Sequence, residues 1–266
     1  MRVLVTNDDG IDGVGLHVLA RRLSRLDDLE VVVAAPDREY SGAGAALGTL
    51  HLIHPEVRRV ELAGVAEAWS VTGPPALCVV FSRLGVFGGP FDLVVSGINP
   101  GANTGRAIYH SGTVGAALTA RNGGVSSVAV SQAVAGFGVE GQGWDEMLSD
   151  QQWDTAADVA ARVVTDVLAM ERPQPIVVNV NVPNLRMDEL AGWRRTNVAL
   201  LPPRALAHAT LTPKAGHDNT FNVQMEWGDP IVSPEDTDSG AVEAGYVSIT
   251  ALTRMTDDAA VEVPLS

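Results

Sequence analysis

At 266 residues, 46% of them hydrophobic and 5% aromatic, the chain is long enough to bury a full core as one large domain or two small ones. Its formal net charge of −14 repels a phosphate backbone, so a nucleic-acid duplex is not an expected partner. No apolar run reaches the roughly 18 residues of a membrane span, and the short apolar stretch at the N-terminus runs straight into Asp8 and Asp9, so neither a membrane partner nor a signal peptide is expected and the cytoplasm is the expected location.

Arg2 to Thr6 is a short β-branched strand run that stops at the turn signal Asn7-Asp8-Asp9-Gly10. Leu16, Leu19, Ala20 and Leu23 then repeat at helical spacing. Residues 30–35 form a second apolar strand, ended by Pro36-Asp37 and followed by the glycine-rich loop Ser41-Gly42-Ala43-Gly44. Residues 57–62 and 68–72 read as shorter strands, and Pro74-Pro75 suits the first turn of a helix through residue 84. The single cysteine, Cys78, lies in that apolar run and reads as a buried small hydrophobe. Residues 91–95 are a buried strand ending in Ser96-Gly97-Ile98-Asn99; a polar loop leads to Ser111-Gly112-Thr113, which opens an alanine-rich helix, and residues 125–131 are strand-like again. Residues 136–143 are glycine-rich and predict a loop. Helical spacing returns over residues 153–170, and residues 175–182 form a strand. Residues 194–200 and 221–227 are expected to pair as an antiparallel extension, with a last strand over 246–252.

Apolar strands alternating with helices predict an α/β fold with a mainly parallel sheet covered on both faces. Sites in such folds form beyond the carboxyl ends of the strands. Four polar clusters fall there or at a helix start: Asp8-Asp9, Ser41-Gly42, Ser96 to Asn99, and Ser111 to Thr113. Each has a plain structural reading as a turn, a flexible glycine loop or a helix cap. Together they also form an incomplete oxygen shell of the kind a hard divalent cation takes, and neighbouring carboxylates repel unless such an ion lies between them. Histidine and cysteine are absent from the carboxylate, serine and asparagine clusters, which argues against structural zinc. The Ser111-Gly112-Thr113 helix start offers backbone N–H groups to an anion such as phosphate. His110 beside it is a candidate proton donor, Tyr109 a candidate surface for a base, and Arg38 and Arg106 candidate attractors of phosphate; each is equally an ordinary loop or surface residue. No Gly-x-Gly-x-x-Gly follows the first strand and no P-loop motif occurs, so neither a dinucleotide oxidoreductase nor a P-loop kinase is expected.

The sequence Val3-Leu4-Val5-Thr6-Asn7-Asp8-Asp9-Gly10-Ile11 resembles the signature of the SurE survival-protein family, metal-dependent 5′/3′-nucleotidases. The likeness continues through Ala35 to Gly42, Asp92 to Asn103 and Tyr109 to Ala117, and returns in Val178 to Pro183 and Gly245 to Thr250. Departures such as Gly73-Pro74-Pro75-Ala76-Leu77-Cys78, where the family usually has Gly-Thr-Pro-Ala-Asp-Cys, lie away from the clusters above.

The resemblance implies a Rossmann-like catalytic core over 1–185, integrated with a β-rich C-terminal extension over 186–266 used for oligomer contacts, and hence a homodimer or homotetramer. It implies one divalent cation per subunit, Mg²⁺ or Mn²⁺, on Asp8, Asp9, Ser41 and Asn99, with phosphate contacts from Gly42, Asn103, Ser111, Gly112 and Thr113. The expected activity is hydrolysis of nucleoside 5′-monophosphates, with 3′-monophosphates as a further class, through a metal-activated water. Asp8 and Asp9 are the expected catalytic residues. The rival reading is a non-catalytic nucleotide- or phosphate-binding module on the same fold.

Overall fold

The alternation of strand and helix signals becomes a nine-stranded sheet in the order β3-β4-β2-β1-β5-β6-β7-β11-β8, in a computed structural model that describes residues 1–48, 54–135, 147–201 and 206–255. The glycine-rich stretch 136–143 lies outside these residues. The strands are β1 (Arg2–Thr6), β2 (Glu30–Pro36), β3 (Val57–Val60), β4 (Glu67–Val71), β5 (Leu93–Pro100), β6 (Ser126–Gln132), β7 (Val177–Val182), β8 (Gly192–Arg195), β9 (Leu206–Pro213), β10 (Phe221–Trp227) and β11 (Tyr246–Leu252). From β4 to β7 every neighbouring pair is parallel, while β3 runs antiparallel to β4 and β11 antiparallel to β7.

Parallel strands need crossovers, and the helices that supply them cover both faces. On one side α1 (Val14–Leu23) packs against α4 (Trp153–Leu168); on the other α2 (Pro75–Arg83) packs against α3 (Gly112–Asn122). Side chains of β1 alternate between the two cores: Val3 and Val5 join Leu16, Leu19 and Ala160, whereas Leu4 joins Cys78, Val79 and Ala116. Leu16, Leu19, Ala20 and Leu23 are the buried face of α1, as their spacing predicts. Cys78 is fully buried, and burial pushes its thiol up to about 12.

The chain leaves β1 toward β2 on one side and later returns to β5 on the other. That reversal makes the carboxyl ends of β1 and β5 the topological switch point of the sheet. β5 runs to Pro100, so Ser96 to Asn99 belong to the strand itself, with an irregular register against β6 between Ser96 and Asn99.

The C-terminal part differs from the expected pairing. Residues 194–200 do not pair with Phe221–Trp227. Arg194 and Arg195 lie in β8, parallel to β11 at the sheet edge, where Thr196 Oγ1 bonds the hydroxyls of Ser248 at 2.8 Å and Thr250 at 2.7 Å. The antiparallel partner of β10 is β9, and together they form a separate, exposed two-stranded sheet. Alternation in β-rich segments specifies strands but not partners.

Helix α1 approaches β5 with no spare room. A Cβ on Gly15 would stand 2.1 Å from the Ile98 carbonyl oxygen and 2.9 Å from the Trp153 ring. Gly15→Ala is expected to lower thermal stability by about 1–3 kcal/mol through overpacking, against the roughly 1 kcal/mol that alanine gains by helix propensity. Thermal unfolding checks this, and an unchanged or raised Tm contradicts it.

Candidate active site

The loop after β1 is turned by Gly10, whose φ of +95° favours glycine, and by Asn7, whose Nδ2 donates to the Gly10 carbonyl at 2.9 Å. The turn leaves Asp8 2% exposed and Asp9 half-buried. The Asp8 carbonyl accepts from Tyr40 N–H at 2.7 Å, which draws the Ser41 loop alongside. That loop is tied in turn to the start of α3, since Gly44 N–H donates to the His110 carbonyl at 3.0 Å. Gly115 of α3 packs so tightly on Gly44 that a Cβ there would stand 2.2 Å from its carbonyl oxygen.

These ties create a cleft of about 550 Å³ lined by Asp8, Asp9, Ser41, Gly42, Asn99, Asn103 and Ser111, together with Glu39, Pro100, Ala107 and His110. Seven of the nine metal, catalytic and phosphate-contact positions expected from sequence therefore face one space. Gly112 and Thr113 stand behind it. Thr113 Oγ1 donates to Asp8 Oδ1 at 2.5 Å, and the backbone N–H groups of Thr113 and Gly112 favour the charged Asp8 carboxylate. The anion received at the start of α3 is thus Asp8 itself. Ser111 is the helix N-cap: its Oγ accepts from Val114 N–H at 3.1 Å, which leaves its O–H to donate into the cleft. Arg38 stacks over the Tyr40 ring at 5.3 Å; neither it, Arg106 nor Tyr109, which is 74% exposed, lines the cleft.

The electrostatics of the carboxylate pair would suit a cation. Among the described residues no arginine, lysine or histidine pairs with Asp8 or Asp9. Burial raises the Asp8 carboxyl above its ordinary range despite its hydrogen bonds. Burial, then the charges of Asp8 and Glu39, push Asp9 from 3.8 up to about 8. Asn99 Nδ2 donates to the Gly101 carbonyl at 2.7 Å and the Pro100 carbonyl at 3.3 Å, so its amide nitrogen is spent and Oδ1 is the atom left for a ligand. Two carboxylates, an amide oxygen and a serine hydroxyl fit a hard divalent cation. Among the described residues no group of three or more His, Cys, Asp or Glu forms a metal cage, so any ion here relies on neutral oxygens and water as well.

Several further residues support this site without standing out in the sequence. Glu39 adds a third carboxylate to the cleft. Asp238, fully buried in the short helix α5 (Asp238–Glu243), accepts from Gly105 N–H at 3.0 Å and Ala199 N–H at 2.8 Å, and so holds the 3-10 turn that precedes His110. Asn179, Asn181 and Ser131 hold Asn103. The signal available for the asparagines was polar residues alternating within the apolar run Val177–Val182.

Thr113→Val, which removes the hydroxyl donor to Asp8, is expected to weaken Mg²⁺ or Mn²⁺ binding by about 10–100-fold, measured by titration calorimetry. Undiminished affinity contradicts a role for Thr113 in holding Asp8. The metal-free protein carries a further expectation. Between pH about 4 and about 8 the unfolded chain sheds the Asp9 proton while the folded chain keeps it, given the rise from 3.8 to about 8. Stability therefore falls as pH rises through that window, and Asp9→Asn flattens the fall. Equal slopes of Tm against pH for the two proteins contradict this.

The profile of the family described as "Survival protein SurE" matches residues 3–201. The chain is 37% identical over 256 residues to a "5'-nucleotidase SurE" of Marinomonas sp. (strain MWYL1), covering 95% of this chain and 91% of that one. It is 36% identical over 249 residues to a protein of the same name from Symbiobacterium thermophilum, covering 93% and 90%. The crystal structure of the SurE protein from Aquifex aeolicus superposes with a TM-score of 0.74 at 30% identity, over 95% of this chain and 93% of that one. By sequence over most of its length and by fold, the chain belongs to the survival protein SurE family.

Proposed function

We propose that this protein is a divalent-cation-dependent phosphomonoesterase that hydrolyses nucleoside 5′-monophosphates, and 3′-monophosphates as a further class, to nucleoside and phosphate. The observation that carries the reading is one cleft in which two carboxylates, without a cationic partner among the described residues, face the amide oxygen of Asn99 beside the Ser111 hydroxyl. Similarity to proteins named 5'-nucleotidase supports it.

In this reading Asp8, Asp9, Ser41 and Asn99 hold one Mg²⁺ or Mn²⁺ per subunit. Such a cation, when bound, supplies Lewis acidity and lowers the pKa of water toward neutrality. It also offsets the protein's net charge of −14 at the point where a phosphate must approach. Asp8, fixed by Thr113, is the rigid member of the carboxylate pair. Asp9 is half-buried and is the candidate to accept the proton of the attacking water. Ser111 Oγ–H and Asn103 contact the phosphoryl oxygens as charge develops on them. Gly42, with no atom of the described residues within 4 Å of where a Cβ would stand, leaves the cleft mouth open. His110, exposed in the cleft wall, is the candidate to protonate the leaving oxygen.

The exposed β9–β10 hairpin carries Leu211, Phe221, Val223 and Met225 in solvent, which supports the homodimer or homotetramer expected of the C-terminal extension. No helix among the described residues is long and apolar enough to cross a membrane.

The test is phosphate release from AMP, GMP and their 3′ isomers, before and after exhaustive chelation and with Mg²⁺ or Mn²⁺ restored. Chelation is expected to abolish turnover, and Asp8→Asn and Asp9→Asn each to lower kcat by at least about 10²-fold. Full turnover after chelation sinks the cation dependence. Nucleotide binding with no phosphate release from any monoester sinks the hydrolase reading in favour of a binding module.

A further inference from the structure

Asn103 faces the cleft from the loop between β5 and α3, yet its anchors come from inside the sheet. Its backbone N–H donates to Asn181 Oδ1 at 2.7 Å, and its carbonyl accepts from Asn179 Nδ2 at 2.9 Å and Asn181 Nδ2 at 3.2 Å. Its side-chain Nδ2 meets Ser131 Oγ at 2.8 Å. Asn179, Asn181 and Ser131 are each 0% exposed and lie on β7 and β6, with Ser131 and Asn181 directly opposite in register.

Core packing does not account for these residues. A central parallel strand with both faces covered favours Val and Ile, and asparagine is a poor strand former. Asn179 and Asn181 occupy the same strand face as Val177, which packs on Val114 and Ala117 of α3. Asn179 even leaves its Oδ1 without a partner among the described residues. An unpaired buried acceptor is a cost, and among the described residues the one hydrogen bond that the Asn179 side chain donates ends on Asn103. The two asparagines thus give the Asn103 peptide what a neighbouring strand would give it, hydrogen bonds at both N–H and C=O, in a loop that has no strand beside it.

We propose that Asn179 and Asn181 are positioning residues that fix the backbone at Asn103, with Ser131 setting its side chain, so that Asn103 meets the phosphate of the substrate. The proposal rests on the phosphomonoesterase reading above. The expected cation ligands sit on the loops after β1 and β2 and at the end of β5; none takes part in the clamp's hydrogen bonds, although Asn99 lies opposite Ser131 in register. Loss of the clamp therefore separates phosphate recognition from cation binding.

The experiment uses the full chain, loaded with Mg²⁺, and compares Asn179→Leu, Ser131→Ala, Asn103→Ala and the double variants that combine each of the first two with Asn103→Ala. Cation affinity, inhibition by inorganic phosphate, and kcat and KM on AMP are measured for each. Asn179→Leu is expected to weaken phosphate by about tenfold and to lower kcat on AMP, where misplacement near 1 Å costs about 10²-fold in rate, while cation affinity holds. In the Asn103→Ala background neither change is expected to weaken phosphate further. Where Asn179→Leu does not fold, Ser131→Ala carries the same comparison. Undiminished phosphate affinity in the folded variants, losses that simply add to those of Asn103→Ala, or an equal loss of cation affinity would each overturn the proposal. A wild-type protein that neither binds inorganic phosphate nor releases it from any monoester overturns the phosphomonoesterase reading instead.

Discussion

The contact between Asp8 and the start of α3 governs the architecture of the site. A carboxylate at the end of the first strand is carried into the interior, where burial alone favours its neutral form. The Thr113 hydroxyl and the backbone N–H groups of the first helical turn oppose that penalty. One interaction thereby welds a loop from the beginning of the chain to a helix more than a hundred residues later, a separation of 105 positions. The close approach has a steric condition as well: a Cβ on Gly112 would stand 2.7 Å from Asp8 Cβ.

The remaining loops follow from that weld. Tyr40 N–H on the Asp8 carbonyl and Gly44 N–H on the His110 carbonyl stitch the serine loop between the same two elements. Asn99 arrives from β5, adjacent to β1 at the switch point of the sheet. Burial first, and then the charges of Asp8 and Glu39, raise Asp9 to about 8. The fold thus stores an unfavourable charge arrangement that a bound cation would relieve, consistent with functional sites being where local rules are broken.

A second layer of order comes from polar groups buried in the sheet and behind it. Asn179 and Asn181 on β7 reach Asn103, and Asp238 on the C-terminal helix reaches Gly105. These residues brace the same loop from opposite ends, so the segment beyond residue 185 has a direct hold on the cleft wall. Buried polar networks of this kind specify one arrangement because every alternative leaves charges or amides unpaired.

Much of this was legible in the chain. The period and content of Arg2–Thr6, Glu30–Pro36 and Val177–Val182 announced buried parallel strands, and the spacing of Leu16, Leu19, Ala20 and Leu23 announced the face of α1. Placing sites beyond strand ends picked out the Asp8-Asp9, Ser41-Gly42 and Ser96 to Asn99 clusters, because a parallel sheet points all such ends the same way, and the family resemblance narrowed them to Asp8, Asp9, Ser41 and Asn99. What the chain could not disclose was partnership. Thr113 read as a phosphate contact, but only the packed structure directs its hydroxyl to Asp8. Residues 194–200 carried a strand signal, but only the pairing of Arg194 and Arg195 with β11 assigns its start to the main sheet and leaves β9 to pair with β10. Local sequence determines which residues are apolar, which turn and which bear oxygen ligands; which oxygen meets which donor depends on contacts between segments far apart in the chain, and those exist only once the sheet has closed.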